Sequence, residues 1–433
     1  MPIDSECIIK SIKATEILDS RGNPTVEVEI YTKDGISATA STPSGASTGK
    51  HEALELRDSD STRYSGKGVL QAVKNVNERI SPILEGKSCY NQQEIDEIMV
   101  EADSTDNMST LGANATTAIS IACAKAAAKA KGIQLYQHIS ETLSSGYGLR
   151  EKNMVTIPVP LMNIINGGKH AGSGLAIQEF MIIPVKRDHT SESIRASSEI
   201  YYKLASILSN RLTRSATNVG DEGGFAPTLD YDELALTYII EAISQSGYEP
   251  GKDIVLGIDV AASNLWNTTK QKYMLNGRLM NTENLLAYYS DLVDRYPLKY
   301  IEDPFMEDDP ESFVKITEAL GRKVTIVGDD IFVTEKNKVS EGIKSHVANG
   351  IIIKVNQVGT LTGAIETVKR AHSASWSVIA SHRSGETNDD WLADFAVGIR
   401  ATGIKAGAPA RGERVIKYNR LMKIEQGELE SLG

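Results

Sequence analysis

The sequence predicts an α/β protein in which an N-terminal α+β domain precedes a (β/α)8 barrel. Short apolar runs recur in the second half of the chain at intervals of about one βα unit, and each is typical of a buried parallel strand. Each run leads into charged residues, namely Asp259, Glu302, Asp329, Lys354, His382 and Lys405. Because functional groups of such barrels lie at the C-terminal ends of the strands, these residues are expected to share one rim.

The length of the chain supports the same division. A barrel takes about 250 residues, so a chain of 433 residues has room for a second domain. A stretch of Ser, Gly and Tyr at 144–148 indicates the boundary. The predicted domains are therefore 1–145, an α+β capping domain, and 146–433, the catalytic barrel.

The first domain is predicted to contain a three-stranded antiparallel meander over 7–18, 25–31 and 36–42. Apolar and polar residues alternate in the second of these strands, and turn-forming residues at 19–24 and 33–35 connect the three. Apolar residues with helical spacing follow at 69–80 and 95–99, and alanines dominate 113–131. These helices are expected to cover the apolar face of the sheet.

Two flexible loops are candidates for closing over a site. The segment 43–52 is rich in small residues and hydroxyls, and it suits an ordinary surface loop and a mobile lid equally well. The glycine-rich segment 166–174 follows the first barrel strand, predicted at 155–165. It contains no GxGxxG and no Walker motif, so a flap carrying His170 fits better than a nucleotide site.

The rest of the barrel has its own local signals. Gln178 and Glu179 precede a short apolar run at 180–184, and Glu222 lies in an acidic pair followed by two glycines. Asp309 before Pro310 and, further along, Thr360 are expected to cap helices. Carboxylates beside glycines are often plain turn residues, but here they fall near the strand ends of the predicted barrel.

Composition excludes several classes of protein. With 46 Lys and Arg against 57 Asp and Glu the net charge is -11, so general binding to nucleic acid or anionic membranes is not expected. No apolar run has the roughly 20 residues that a membrane span needs, and the N-terminus does not resemble a signal peptide. Cys7, Cys89 and Cys123 show no metal-ligand spacing and are expected to be reduced structural thiols. A cytoplasmic protein is the expectation.

The charged strand ends suggest a specific chemistry. Hard carboxylate oxygens from Asp259, Glu302 and Asp329, without a Cys or His pair, favour Mg²⁺ over zinc. A structural ion-pair network is the alternative, although it would not need every charge at the same strand end. A cation on a substrate carboxylate would stabilise an enediolate, with Lys354 as the base at a lowered pKa. Glu222 and Glu179 could hold one proton between them and act as the acid.

Eight segments of the chain, taken in order, resemble the signatures of the enolase family. They lie at 19–28, 44–49, 166–172, 220–224, 301–305, 354–357, 381–387 and 407–411. Each is weak alone, but together they span essentially the whole length. Two departures are a missing residue between Gly403 and Ile404 and Ala406 in place of the usual threonine.

The resemblance implies reversible dehydration of 2-phosphoglycerate to phosphoenolpyruvate with two Mg²⁺ ions. It also implies an irregular barrel with an antiparallel second strand and assembly as a homodimer or larger homo-oligomer. The implied ligands of the first ion are Asp259, Glu302 and Asp329, and Ser47 would join the second ion beside the substrate phosphate. Lys354 would be the base, Glu222 the acid and Glu179 its partner. The implied substrate contacts are His170, Gln178, His382, Arg383, Ser384 and Lys405.

Two rival interpretations remain at this point. A relative of the enolases that acts on another carboxylate would lack the phosphate contacts, yet Ser47, Arg383 and Ser384 are present. A catalytically silent homologue that serves as a binding or structural protein would be expected to lose Lys354 or Glu222, and both are present.

Overall fold

The computed structural model describes residues 6–45, 49–145, 155–168, 174–185 and 189–432. Ser47 and His170 lie outside these ranges, so the predictions made for them are not addressed by the structure.

The N-terminal domain contains an antiparallel sheet of three strands, as the sequence predicts. The strands are β1 (Ile9–Leu18), β2 (Pro24–Thr32) and β3 (Ser37–Ser41), in that order. The helices are α1 (Leu70–Asn75), α2 (Ser81–Leu84), α3 (Gln92–Asp103), α4 (Ala113–Lys131) and α5 (Leu135–Ser144), and a π-helical turn over Val76–Ile80 joins α1 to α2. Helix α4 packs on β2 and β3. Its many alanines allow helix and sheet to approach closely, which explains a core made of small side chains.

The three cysteines are free and buried in this domain. They are distant in sequence but close in space, because the Cys89 thiol hydrogen-bonds with both Cys7 and Cys123. The neighbouring thiol, Cys89 for Cys7 and Cys123 for Cys89, and then burial raise the pKa of Cys7 and Cys89, which disfavours the reactive thiolate and agrees with a structural role.

The second domain is a closed barrel of eight strands. They are β4 (Val159–Asn166), β5 (Glu179–Pro184), β6 (Ile254–Asp259), β10 (Leu298–Glu302), β11 (Thr325–Gly328), β12 (Gly350–Ile353), β13 (Ser377–Ser381) and β14 (Gly403–Lys405). Between β6 and β10 the chain forms a small antiparallel sheet of β7 (Trp266–Asn267), β8 (Lys272–Leu275) and β9 (Arg278–Met280). Strand β5 runs antiparallel to both neighbours, whereas the other barrel pairs are parallel. The irregular barrel is therefore confirmed.

Helices surround the barrel, and the predicted caps are present. The helices are α6 (Thr190–Arg211), α7 (Asp232–Gln245), α8 (Thr282–Arg295), α9 (Pro310–Leu320), α10 (Lys336–Lys344), α11 (Leu361–Ser373), α12 (Trp391–Gly398) and α13 (Gly412–Leu432). The Asp309 carboxylate accepts from the Ser312 N–H at 3.1 Å, and the Thr360 hydroxyl accepts from the Gly363 N–H at 3.2 Å. None of the described helices combines the length and apolar composition that crossing a membrane requires.

The two domains meet beside the end of β13. Ser44 and Gly385 exchange backbone hydrogen bonds of 2.7 and 2.9 Å, and Asp19 accepts a hydrogen bond from the Ser44 hydroxyl. A Cβ on Gly385 would lie 2.2 Å from an Asp19 carboxylate oxygen, so only glycine fits this approach. The contact places the loop after β3 over the C-terminal rim of the barrel.

Candidate active site

The charged strand ends meet in one cleft at the C-terminal rim. The cleft is partly open to solvent, and its lining side chains leave about 30 Å³ of free space between them in this arrangement. Its charged and polar lining includes Gln178, Glu179, Glu222, Asp259, Asp303, Asp329, Asp330, Lys354, His382, Arg383, Ser384 and Lys405. Every described residue of the predicted site lines this cleft except Glu302, whose carboxylate contacts Lys405.

Lys405 is the cation at the centre of the carboxylates. Its Nζ lies 2.8 Å from each Glu302 oxygen, 3.1 Å from Asp259 Oδ2 and 3.2 Å from Glu179 Oε2. Burial alone would lower the pKa of Lys405, but Asp259, Glu179 and Glu302 together raise it well above its ordinary value. The side chain is therefore a permanent ammonium group inside the cleft.

The carboxylates around Lys405 carry more negative charge than it can neutralise. Burial, followed by repulsion from Asp259, raises the pKa of Glu302 to about 8. Burial and then the Glu222 charge raise the pKa of Glu179 well above its ordinary range. Glu222 in turn accepts a hydrogen bond of 2.9 Å from the Asn163 amide. Burial and the nearby Glu222 carboxylate thus favour a proton on Glu179 more than on an isolated carboxyl group.

Lys354 follows β12 and forms an ion pair with Asp329. Burial disfavours its charged form, but the Asp329 carboxylate outweighs burial and the pKa of Lys354 is raised. For Asp329, burial alone would raise the pKa, but the Lys354 ammonium has the larger effect, and the pKa of Asp329 is lowered. The expected lowered pKa of Lys354 is therefore not found in this arrangement, because the carboxylate next to it stabilises the ammonium.

A second acidic group adjoins this ion pair. Among the described residues, Asp303, Asp329 and Asp330 place carboxylate oxygens within 4.8 Å of one another, and the predicted ligands Asp259 and Glu302 are not part of that group. Asp303 accepts hydrogen bonds of 2.9 Å from the N–H groups of Asp329 and Asp330. Burial and the Asp329 charge raise the pKa of Asp330 to about 8. This surplus of hard oxygen donors fits a divalent cation such as Mg²⁺.

An arginine holds the segment after β13 in place. The Arg414 guanidinium donates to His382 Nδ1 at 2.6 Å, to the Arg383 carbonyl at 2.7 Å and to the Ser384 carbonyl at 2.6 Å. Since arginine only donates, Nδ1 must be the accepting nitrogen. Burial, and next to it the Arg414 charge, lower the pKa of His382 well below its ordinary value. His382 is therefore neutral, with Nε2 3.7 Å from Glu222 Oε1.

Arg383 contacts the loop that comes from the N-terminal domain. Its guanidinium donates to Glu52 Oε2 at 2.8 Å and Oε1 at 3.2 Å, and also to Asn356 Oδ1 at 3.2 Å. Both charged side chains are buried. The N-terminal domain thus supplies a carboxylate to the barrel rim.

Comparison with known proteins agrees with this arrangement of residues. The protein family described as "Enolase, N-terminal domain" matches residues 9–139, and the family described as "Enolase, C-terminal TIM barrel domain" matches residues 154–432. The chain is also 48% identical over 435 residues to Enolase B of Dictyostelium discoideum, covering 98% of this chain and 96% of that protein. The chain belongs to the enolase family. It is a lyase of the phosphopyruvate hydratase class.

The resemblance seen in the sequence motifs is thereby confirmed for the family, while the roles of single enolase-site residues stay predictions. Several polar residues of the cleft were not predicted. Asp303 and Asp330 could have been found, because each follows a predicted ligand directly in the sequence. Glu52 and Arg414 give no such signal, since they reach the cleft from a loop and a helix distant in sequence.

Proposed function

We propose that this enolase-family protein catalyses the reversible dehydration of 2-phosphoglycerate to phosphoenolpyruvate, a step of glycolysis and gluconeogenesis. The observation that carries the proposal is the convergence of Lys354 with the Glu179 and Glu222 pair in one cleft. A lysine can remove the α-proton of the substrate, and a protonated carboxyl group can protonate the leaving hydroxide.

Lys354 and Glu222 carry out the two proton transfers of this reaction. Lys354 must first release its ammonium proton to solvent and then accept the α-proton of the substrate, which requires that its ion pair with Asp329 weakens when substrate binds. Glu222 is the proposed acid. The raised pKa of Glu179 beside it supports a shared proton that Glu222 can deliver.

The substrate contacts follow from charge. Lys405 is a buried ammonium suited to a substrate carboxylate, and Arg383 with Ser384 would bind the phosphate, for which a guanidinium fork is well shaped. His382 and Gln178 would complete the walls of the cleft. His170 and Ser47 are proposed to approach the substrate from the two loops.

Two Mg²⁺ ions are proposed for each site. Asp259, Glu302 and Asp329 would hold the first, and Ser47 would join the second. When bound, Mg²⁺ would supply electrostatic stabilisation of the negative charge that develops as the α-proton leaves. The carboxyl groups of Glu302 and Asp330 support a cation here, because burial, followed by the negative charge of a neighbouring aspartate, raises the pKa of each to about 8, and a cation would offset both effects.

The test is the ultraviolet absorbance of the enol phosphate formed from 2-phosphoglycerate. Native protein with Mg²⁺ should give a steady rise that a chelator abolishes, and Lys354→Ala should abolish it with the fold intact. Lys10→Ala, a change at an exposed lysine on β1, should keep the rise. If well-folded native protein with Mg²⁺ produced no absorbance, the assignment would be wrong, and a catalytically silent homologue would become the better description.

Assembly and location are also proposals. We expect a homodimer or larger homo-oligomer in the cytoplasm, as the family resemblance implies. Exposed apolar side chains such as Tyr202, which is 73% exposed, and Leu18, which is 55% exposed, offer surface that a partner subunit could cover. Sedimentation of the purified chain and fractionation of its source cells would test the two statements.

A further inference from the structure

We propose that Glu52 is an internal competitor for Arg383, so that an anionic substrate group must displace the Glu52 carboxylate before it can bind. Glu52 would then be a residue that sets how strongly the site binds anions. The inference deepens the function proposed above, since it rests on Arg383 as the phosphate contact.

The Glu52 carboxylate contacts the Arg383 guanidinium in the geometry expected of a bound anion. Glu52 presents both carboxylate oxygens to Arg383, at 2.8 Å from Nη1 and 3.2 Å from Nη2. The side chains are 5% and 3% exposed, so water screens the pair little. A planar fork facing two oxygens is also how a guanidinium binds phosphate. Glu52 therefore uses the donors that a phosphate would need.

The carboxylate is held at this position by its surroundings. Glu52 Oε1 accepts from the Gly49 N–H at 2.9 Å and from the Gln357 amide at 3.3 Å. Gln357 in turn donates to Asp329 at 3.0 Å. The competitor is thus connected to the ion pair of Lys354, and its displacement would loosen contacts next to the proposed base.

The larger charge of a phosphate explains why it can displace Glu52 from Arg383. Glu52 brings one negative charge and is bound to its own loop, whereas a phosphate ester brings nearly two charges and further acceptor oxygens. A ligand with a weaker anionic group gains less from Arg383 and does not replace the carboxylate. Removing the charge of Glu52 should accordingly tighten anion binding, whereas simple damage to the site would weaken it.

The experiment is a calorimetric titration of the full chain with inorganic phosphate. Glu52→Gln keeps the size of the side chain and removes its charge, and we expect phosphate to bind about tenfold more tightly, the effect of one charge-assisted contact. In Arg383→Gln, phosphate binding should be lost, and adding Glu52→Gln should not restore it. Unchanged or weaker phosphate binding by Glu52→Gln would overturn the inference.

A matched control separates competition from a looser loop. Lys50 on the same loop forms an ion pair of 2.6 Å with Asp308, which lies outside the Arg383 contacts. Asp308→Asn removes this attachment, and phosphate affinity should stay unchanged. An equal gain in affinity for Asp308→Asn would overturn the inference, because loop release would then explain the effect. If Glu52→Gln does not fold, Glu52→Asp should give a smaller gain, since the shorter side chain cannot reach both nitrogens.

Phosphate binding does not depend on turnover, so the two proposals can fail separately. Tighter phosphate binding by Glu52→Gln together with no product from 2-phosphoglycerate in the native protein would refute the proposed function alone. Product formation in the native protein without a gain in phosphate affinity would refute the role of Glu52 alone.

Discussion

Lys354 and Lys405 are both buried ammonium groups, and the carboxylates beside each of them determine its charge. A buried lysine without a partner would lose its proton, because low dielectric penalises the charged form. Here Asp329 keeps Lys354 charged, while Asp259, Glu179 and Glu302 keep Lys405 charged. Asp329 is the carboxylate in direct contact with Lys354, whereas three carboxylates contact Lys405, so Lys354 should be the easier of the two to neutralise. This difference fits a base and a permanent cation.

Lys405→Met tests how strongly the cleft depends on that cation. The change keeps an unbranched side chain one atom shorter than lysine but leaves three carboxylates without their ammonium, so the variant should lose about 3–5 kcal/mol of unfolding free energy. Denaturant unfolding in Mg²⁺-free buffer measures the loss, and product formation should also disappear. Lys10→Met, at an exposed position on β1, should change the unfolding free energy by less than about 0.5 kcal/mol. Equal stability of the two variants would contradict the prediction.

Single residues of the site were predictable where they end a strand. Asp259, Glu302 and Lys354 stand out because a charge after an apolar run has no place in a core, and the fold brings such ends together. The ion pair of Lys354 with Asp329 was not predictable. Contacts between side chains depend on distances that strand order alone does not define.

The start of α13 is hydrogen-bonded to the segments that carry the site residues. Arg414 is fully buried, and its guanidinium connects the helix to His382 and to the carbonyls of Arg383 and Ser384. It also donates to the Asp221 carbonyl at 3.0 Å, next to the proposed acid Glu222. One side chain therefore positions two rim segments that are distant in sequence.

Arg414→Lys should uncouple this helix from the site. Lysine retains the charge but cannot present several fixed donors at once, so some carbonyls would lose their partner. We expect kcat to fall at least about tenfold and the unfolding free energy to fall by about 1.5–3 kcal/mol, the cost of losing hydrogen bonds to a charged group. Arg195→Lys on the exposed side of α6 is the control and should match the native protein. An unchanged kcat for Arg414→Lys would show that α13 does not position the site.

Helix α5 carries a group whose titration should affect stability. Burial, and then the neighbouring Lys131 ammonium at 3.2 Å, lower the pKa of His138 from 6.5 to about 4. A lowered folded-state pKa means that the unfolded chain binds the proton more readily. The stability that neutral His138 contributes is therefore complete above about pH 6.5 and is lost as the pH falls through about 4.

His138→Gln should remove this dependence on pH. Over the window from about pH 6.5 to about pH 4 the native protein should lose about 3 kcal/mol more unfolding free energy than the variant does. Denaturant unfolding of both proteins at several pH values measures the difference. His346→Gln, at an exposed histidine, should follow the native protein throughout. A constant difference between native protein and His138→Gln at every pH would contradict the prediction.

The architecture of the whole molecule was largely predictable, because periodicity and turn residues report on it directly. The meander, the alanine-rich helix and the barrel agree with the structure, and so does the antiparallel second strand, which only the family resemblance implied. The small sheet of β7, β8 and β9 was not predicted, since strands of two to four residues give no periodic signal. The contact of the two domains was also not predictable, because it depends on how the rim loop at Gly385 meets Asp19.

Gly385→Ala tests whether the active site needs both domains held together. The added Cβ would lie 2.2 Å from Asp19 Oδ2 and 2.4 Å from Ser44 Oγ, so the N-terminal domain would have to move away from the rim. Such overpacking costs about 1–3 kcal/mol, and we expect both a lower melting temperature and a higher KM for 2-phosphoglycerate. The KM should rise because Ser384 and Arg383, the proposed phosphate contacts, adjoin this glycine in the sequence. Gly412→Ala at the start of α13, where a Cβ would meet nothing within 4 Å, should alter neither quantity. If Gly385→Ala lowered the melting temperature and left KM unchanged, the domain contact would serve stability alone.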